Sequence, residues 1–232
     1  MVCKVIIGMP GKTFSDNYVI SLMNSIFSLW KSGKYEVSIS PGYSSFVPFT
    51  RMKTLGLDVL RGAHQKPFND ADYDVWVTID SDIVWKPEQL IELIENAMQL
   101  GAVSGLYRMA DLKHFACVKD WDLNYFKNNG FFQFMTDESV QTWKNQSTDS
   151  AMMEVAYNGL GFAAFRKDVL NKLEYPYFWH DLVTVTMDNV DTTLLKDMCS
   201  EDVAFCKNIQ KLGIPFYVNT NILVGHEKQI VI

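Results

Sequence analysis

The sequence predicts an α/β domain whose mainly parallel sheet carries helices on both faces. Two observations predict it. Short apolar, β-branched runs alternate with segments of helical periodicity along the first half of the chain. The clearest run, Asp74-Val-Trp-Val-Thr-Ile-Asp80, is apolar nearly throughout, as a strand covered on both faces must be. A chain of 232 residues suits one domain with a proper core. Its 48% apolar and 21% charged residues describe a folded globular protein and not a disordered one.

Residues 2–8 form an apolar run stopped by Gly8 and Pro10, which suits a central strand. From Asn17 the apolar positions Val19, Ile20, Met23, Ile26, Phe27 and Trp30 recur at helical spacing until Ser32 and Gly33. Residues 36–40 read as a second strand and residues 51–60, with Met52, Leu55, Leu57 and Leu60, as a helix. The strand 74–80 runs into Ser81-Asp82; Pro87 then opens a helix to Leu100, and residues 102–106 return as a strand. From 107 to 150 the pattern loosens among scattered aromatics, as an insertion or acceptor-side subdomain would. Regularity returns at Asn158-Gly-Leu-Gly161, a loop entering a strand that ends at Arg166, followed by a short helix at 167–173. Residues 175–179 form a rigid aromatic segment, and 180–198, with weak periodicity, read as a mobile loop. Ser200 caps a helix to about Leu212, and brief strands at 215–218 and 222–224 lead to His226.

The formal charge of −6 argues against a broad nucleic-acid footprint, which needs clustered Lys and Arg. Cys3, Cys117, Cys199 and Cys206 show no CxxC pair, so free thiols in a reducing compartment are expected. Lys4 and Gly8 interrupt the first apolar run, and nothing approaches the roughly 20 apolar residues that span a bilayer. The expectation is a cytoplasmic protein without a transmembrane segment, with docking to a membrane surface through exposed aromatics left open.

Asp80-Ser81-Asp82 places two carboxylates just past a buried strand, where sheets of this kind collect ligands. Packed carboxylates repel unless a cation neutralises them, and Mg²⁺ or Mn²⁺ does so while leaving coordination sites for phosphate oxygens. A turn or loop cap is the other reading. Ser200-Glu201-Asp202 opens a helix, where acidic residues cap favourably; the same rigid mount would let Asp202 take a proton from a hydroxyl. His226 after Gly225 is either a packed histidine or a ligand. Arg51 is either a surface residue or a phosphate contact.

In order, these pieces resemble the GT-A glycosyltransferases, in particular their minimal, family-two-like members. The matching residues are Pro10, Arg51, Val-Thr-Ile-Asp80-Ser81-Asp82, Ser104-Gly105-Leu106-Tyr107, the Gly159-x-Gly161 to Arg166 loop, Ser200-Glu201-Asp202-Val203 and Gly225-His226. The resemblance implies a single domain over 1–232, with a nucleotide-binding half at 1–106 and an acceptor-side half at 107–232. It implies a Mn²⁺ or Mg²⁺ ion held by Asp82, with Asp80 on the ribose or the metal shell and His226 completing the site. Pro10, Arg51 and Ser81 would hold the nucleotide of a nucleotide-diphosphate sugar donor. Gly159 and Gly161 would let backbone approach the sugar or acceptor. Asp202 would be the base of an inverting displacement and Glu201 its support. The acceptor would be a glycan or a lipid-linked or protein-linked group; Tyr107 and Trp179 are candidate contacts for it, with core or lid packing the plainer reading of the aromatic segment that holds Trp179.

Three alternatives belong beside this. Val77-Thr-Ile-Asp80-Ser-Asp82 also fits the first motif of haloacid dehalogenase-type phosphatases, with Asp80 as nucleophile, although two strands and two helices precede it here. A nucleotidyltransferase shares the fold class but usually opens on a glycine-rich basic loop. A catalytically inactive glycan- or nucleotide-sugar-binding module would keep the scaffold alone. A phosphate-binding loop at Gly8–Thr13 is excluded, because the glycine it needs at position six is Ile6.

Overall fold

The structure, a computed structural model, describes residues 2–147, 151–186 and 194–228. The first half runs β1 (Cys3–Pro10), α1 (Asp16–Ser32), β2 (Tyr35–Gly42), α2 (Val47–Thr54), β3 (Val75–Ile79), β4 (Ile83–Val84), α3 (Pro87–Leu100) and β5 (Ala102–Leu106). Then follow β6 (His114–Val118), α4 (Leu123–Asn129), β7 (Phe134–Thr136), α5 (Asp137–Gln146), β8 (Met152–Glu154) and β9 (Tyr157–Asn158). The chain closes with β10 (Phe162–Arg166), α6 (Lys167–Leu170), β11 (Asp181–Thr186), β12 (Leu194–Cys199), α7 (Glu201–Lys211), β13 (Tyr217–Leu223) and β14 (Gly225–His226).

The central sheet has the order β2-β1-β3-β10-β5-β13-β8, and β10 and β8 run against the other five strands. Alternate side chains feed two cores, because a strand sends successive residues to opposite faces. On β3, Val75, Val77 and Ile79 join Leu22, Leu29, Leu90 and Leu93, whereas Trp76 joins Phe165, Phe205 and Phe216 on the other side. Phe165 lies at the centre of that second core, with ring centroids 5.1 Å from Phe205 and 5.9 Å from both Trp76 and Phe216. No helix among the described residues is long and apolar enough to cross a membrane, and the four cysteines are unpaired.

Several elements depart from the sequence expectations. The first helix forms, but its buried side chains are Tyr18, Ser21, Leu22, Ser25 and Leu29. Ile20, Met23 and Phe27 are exposed, and Trp30 is 73% exposed. Trp85 explains the rotation: its indole donates to the Ser25 hydroxyl (2.9 Å) and its backbone N–H to that of Ser21 (3.3 Å), so small residues face the neighbouring element. The expected helix at 51–60 lies earlier, starting with Pro48 in its first turn and ending before Gly56, whose φ of 60° is a left-handed stop. The loosened stretch contains β6, β7, α4 and α5, and its two strands join β9 in a three-stranded sheet, β7-β6-β9; residues 148–150 lie outside the described residues. The expected loop at 180–198 contains β11 and β12, paired antiparallel from Asp181↔Cys199 to Thr186↔Leu194; residues 187–193 lie outside the described residues. The two brief C-terminal strands are one, β13, with an irregular register between Asn219 and Leu223.

Candidate active site

At the carboxyl end of β3 the chain turns, with the Ile83 N–H donating to the Asp80 carbonyl (3.0 Å), and the two aspartates part company. Asp80 turns to Arg51 and Asp82 to His226 and Lys228, and both side chains keep part of their surface exposed.

Asp80 meets Arg51, which α2 presents on its buried face; Arg51 is only 3% exposed. The guanidinium grips Asp80 with both terminal nitrogens, Nη1 to Oδ1 at 3.0 Å and Nη2 to Oδ2 at 3.2 Å, the planar fork that arginine offers a carboxylate. Its Nε lies 3.1 Å from Asp202 Oδ1 and 3.4 Å from Glu201 Oε1. Ser200 caps α7 by accepting the Val203 N–H, which fixes Glu201 and Asp202 in the first turn. The Leu160 N–H donates to Asp202 Oδ2 (3.1 Å). Asp202 Oδ1 is buried and out of line for any hydrogen bond, Arg51 Nε included, so only a charge contact holds it.

One guanidinium thus faces three carboxylates in a buried site, and the imbalance shows in protonation. Burial pushes the Asp202 carboxyl up to about 7; Arg51 opposes the rise, and Glu201 and Asp80 add to it. Arg51, expected at the nucleotide, instead lies beneath the carboxylates and ties β3, α2 and α7 together.

Asp82 forms the second station. β14 pairs with β4, Gly225 opposite Val84 and His226 opposite Ile83, and this brings His226 Nε2 to 3.0 Å from Asp82 Oδ2 across 144 residues. His226 Nδ1 lies 2.6 Å from the Arg108 carbonyl, which can only accept, so in the neutral ring the proton sits on Nδ1 and Nε2 presents a lone pair, whereas the protonated ring donates from Nε2 to Asp82. That lone pair and Asp82 Oδ2 face one point, and Lys228 Nζ stands beside both, 2.7 Å from the carboxylate and 2.6 Å from Nε2. Burial raises the Asp82 carboxyl, but hydrogen bonds from His226 in its protonated form and from Lys228 outweigh it and hold the group at about 2. The Asp82 hydrogen bond in turn raises the His226 pKa. A proton, an ammonium or a metal ion would satisfy the same two donors.

This donor set suits a divalent cation. A carboxylate and an imidazole converge, and Asp82 is 40% exposed, leaving room for outside oxygen ligands. Among the described residues, no three His, Cys, Asp or Glu side chains form a closed metal cage. Asp80, expected on the ribose or in the metal shell, has both carboxylate oxygens on Arg51.

A cavity of about 630 Å³ adjoins this station, lined by Thr13, Phe14, Ser15, Ser81, Asp82, Glu227 and Lys228. Pro10 is buried at the end of β1, and a Cβ on Gly11 would meet Ser81 Cβ at 2.8 Å, so the β1 loop and the aspartate turn are in direct contact. Tyr107, expected at the acceptor, is buried: its hydroxyl accepts from the Gly161 N–H (3.3 Å) and its ring stands edge-on to His226 at 5.1 Å. A Cβ on Gly159 would fall 1.9 Å from the Tyr107 hydroxyl, so that glycine admits Tyr107. Trp179 is half-buried, beyond Tyr177 and the Phe178 ring that stacks on Phe205 at 4.7 Å, and is not a hydrogen-bond partner of these carboxylates. Glu227, Lys228 and Ser15 were not singled out in the sequence; the charged dipeptide straight after Gly-His was the visible trace of the first two.

No protein-family model and no curated protein sequence matches the chain. Solved structures do match. The crystal structure of A197 from STIV is 18% identical, with a TM-score of 0.51 over 99% of this chain and 87% of that one. GalNAc-T7, crystallised with UDP, GalNAc and Mn²⁺, is 10% identical, with a TM-score of 0.50 over 99% of this chain; the chain spans 44% of that protein. At such identities the likeness concerns architecture alone. The chain has a GT-A-like α/β fold.

Proposed function

We propose that the protein is a metal-dependent glycosyltransferase that moves a sugar from a nucleotide-diphosphate donor to an acceptor hydroxyl with inversion, and that Asp202 is its base. The observation that carries this reading is Asp202 itself: a carboxylate fixed by the Leu160 N–H and Arg51, with a pKa near about 7 and one oxygen free of hydrogen bonds. A general base works best when its pKa lies near the working pH. The acceptor hydroxyl gives its proton to the Asp202 carboxylate while its oxygen bonds to the anomeric carbon. The bond from that carbon to the diphosphate breaks with its electron pair. Arg51 and the Leu160 N–H hold Asp202 in place, and the charge of Glu201, itself paired with Arg51, helps to raise the Asp202 pKa.

Asp82 and His226 would hold Mn²⁺ or Mg²⁺, which when bound offsets the charge growing on the departing diphosphate. The cavity beside Asp82 would take the donor, with Ser81 and the loop after Pro10 against it. The acceptor in this reading is a glycan, free or attached to lipid or protein. The phosphatase alternative needs Asp80 as a free nucleophile, and both its oxygens are gripped by Arg51.

The test is a thermal-shift screen of UDP, GDP and dTDP sugars with and without Mn²⁺, since a ligand that binds only the native state raises apparent stability. A metal-dependent rise with one donor, followed by release of its nucleotide diphosphate, is expected. No metal-dependent shift with any donor would overturn the reading.

A further inference from the structure

With Nδ1 committed to the Arg108 carbonyl, the neutral His226 ring turns the lone pair of Nε2 towards Asp82 Oδ2, 3.0 Å away, so both are electron-pair donors; the Lys228 Nζ 2.6 Å from Nε2 fits this neutral ring. Two such atoms repel unless a positive charge stands beside them. Lys228 supplies that charge, its Nζ within 2.7 Å of both. The backbone beneath it is pinned. The Glu227 N–H donates to the Asp82 carbonyl (2.7 Å), and the Glu227 carboxylate accepts from the Ser15 hydroxyl (2.5 Å) and the Asn17 amide (2.6 Å). What remains free to move is the lysine side chain, 42% exposed on the wall of the cavity beside Asp82.

We propose that the Lys228 ammonium and a divalent cation are alternative occupants of one seat between Asp82 and His226, so that metal binding requires the lysine to swing out into the cavity. The idea rests on the metal reading above. Two cations cannot share donors at this separation, so each weakens the other's binding. A diphosphate in the cavity gives the displaced ammonium a new partner, which makes donor and metal bind cooperatively. Lys228 thereby sets the affinity for free metal and couples it to the donor.

The experiment titrates Mn²⁺ into the full chain and reads free Mn²⁺ by electron paramagnetic resonance. It compares the parent, Lys228→Gln, Asp82→Asn and the double variant, with circular dichroism confirming that each is folded. Lys228→Gln is expected to bind Mn²⁺ at least about tenfold more tightly than the parent, and Asp82→Asn to abolish that gain. Adding UDP is expected to tighten the parent more than Lys228→Gln. Binding by Lys228→Gln where the parent binds none supports the proposal in its strongest form. Equal or weaker binding by Lys228→Gln, or a gain that survives Asp82→Asn, overturns the proposal and leaves the metal reading standing. Failure of parent and Lys228→Gln alike to bind Mn²⁺ overturns both.

Discussion

At the scale of single residues, the decisive feature is the mismatch of one guanidinium against three carboxylates. Arg51 cannot neutralise Asp80, Glu201 and Asp202 together, and burial, with Glu201 and Asp80 adding to it, raises the pKa of Asp202 against the pull of Arg51. The sign of its effect follows directly. A base must be ionised to accept a proton, so transfer is lost as pH falls through about 7 and is restored above it. We expect a one-proton acidic limb near that pH in initial rates of nucleotide diphosphate release; a limb only below pH 5 would remove Asp202 from the role. Asp202→Asn should retain the metal-dependent thermal shift with donor yet transfer sugar about 10²–10⁴-fold more slowly. Asp82→Ala should lose both. Asp202 and Glu201 were legible as an acidic pair on a helix cap. Arg51 was legible only as a cation of unknown partner, because a sequence records a charge and not what faces it.

Elements show where local pattern and packing disagree. Periodicity located α1 correctly, but its most apolar stripe points outward, since Trp85 selects the serine face. The start and stop of α2 were written in Pro48 and Gly56, and the pull of Leu57 and Leu60 towards a longer helix obscured them. β11 also left a trace, the β-branched run Val183-Thr-Val-Thr186, which its exposed setting made easy to take for a loop. The loop before β10 carries the sharpest test at this scale. Gly159 has no left-handed φ, so an added methyl costs chiefly through its collision with Tyr107, whose hydroxyl lies 1.9 Å and ring Cζ 3.0 Å from the added Cβ. We expect Gly159→Ala to lower unfolding stability in urea by about 1–3 kcal/mol, the usual range for overpacking. Tyr107→Phe removes the clashing oxygen, so the double variant should lose less than the sum of the single losses. Strict additivity would show that Tyr107 is not what fills the space.

Over the whole molecule, Arg51 joins three elements distant in sequence, α2, the end of β3 and the start of α7. Removing one member of a buried ionic cluster strands the others, typically at about 3–5 kcal/mol. Arg51→Ala should therefore be strongly destabilised, and more so at pH 8 than at pH 5, because protons can replace the lost cation only where carboxyl groups bind them. Urea melts at the two pH values check this, and an equal loss at both would refute the account. The sequence alone determined the fold class, the strand that ends at Asp80, the helix that carries Asp202 and the identity of most acidic groups, because alternation of apolar period and cap chemistry are local properties. Only the tertiary structure decided that β10 enters the sheet antiparallel, that Asp80 turns to Arg51, and that His226 and Lys228 reach Asp82 from 144 and 146 residues away. Those outcomes depend on strand pairing and on which charges share a buried space, and neither is encoded in any short stretch of chain.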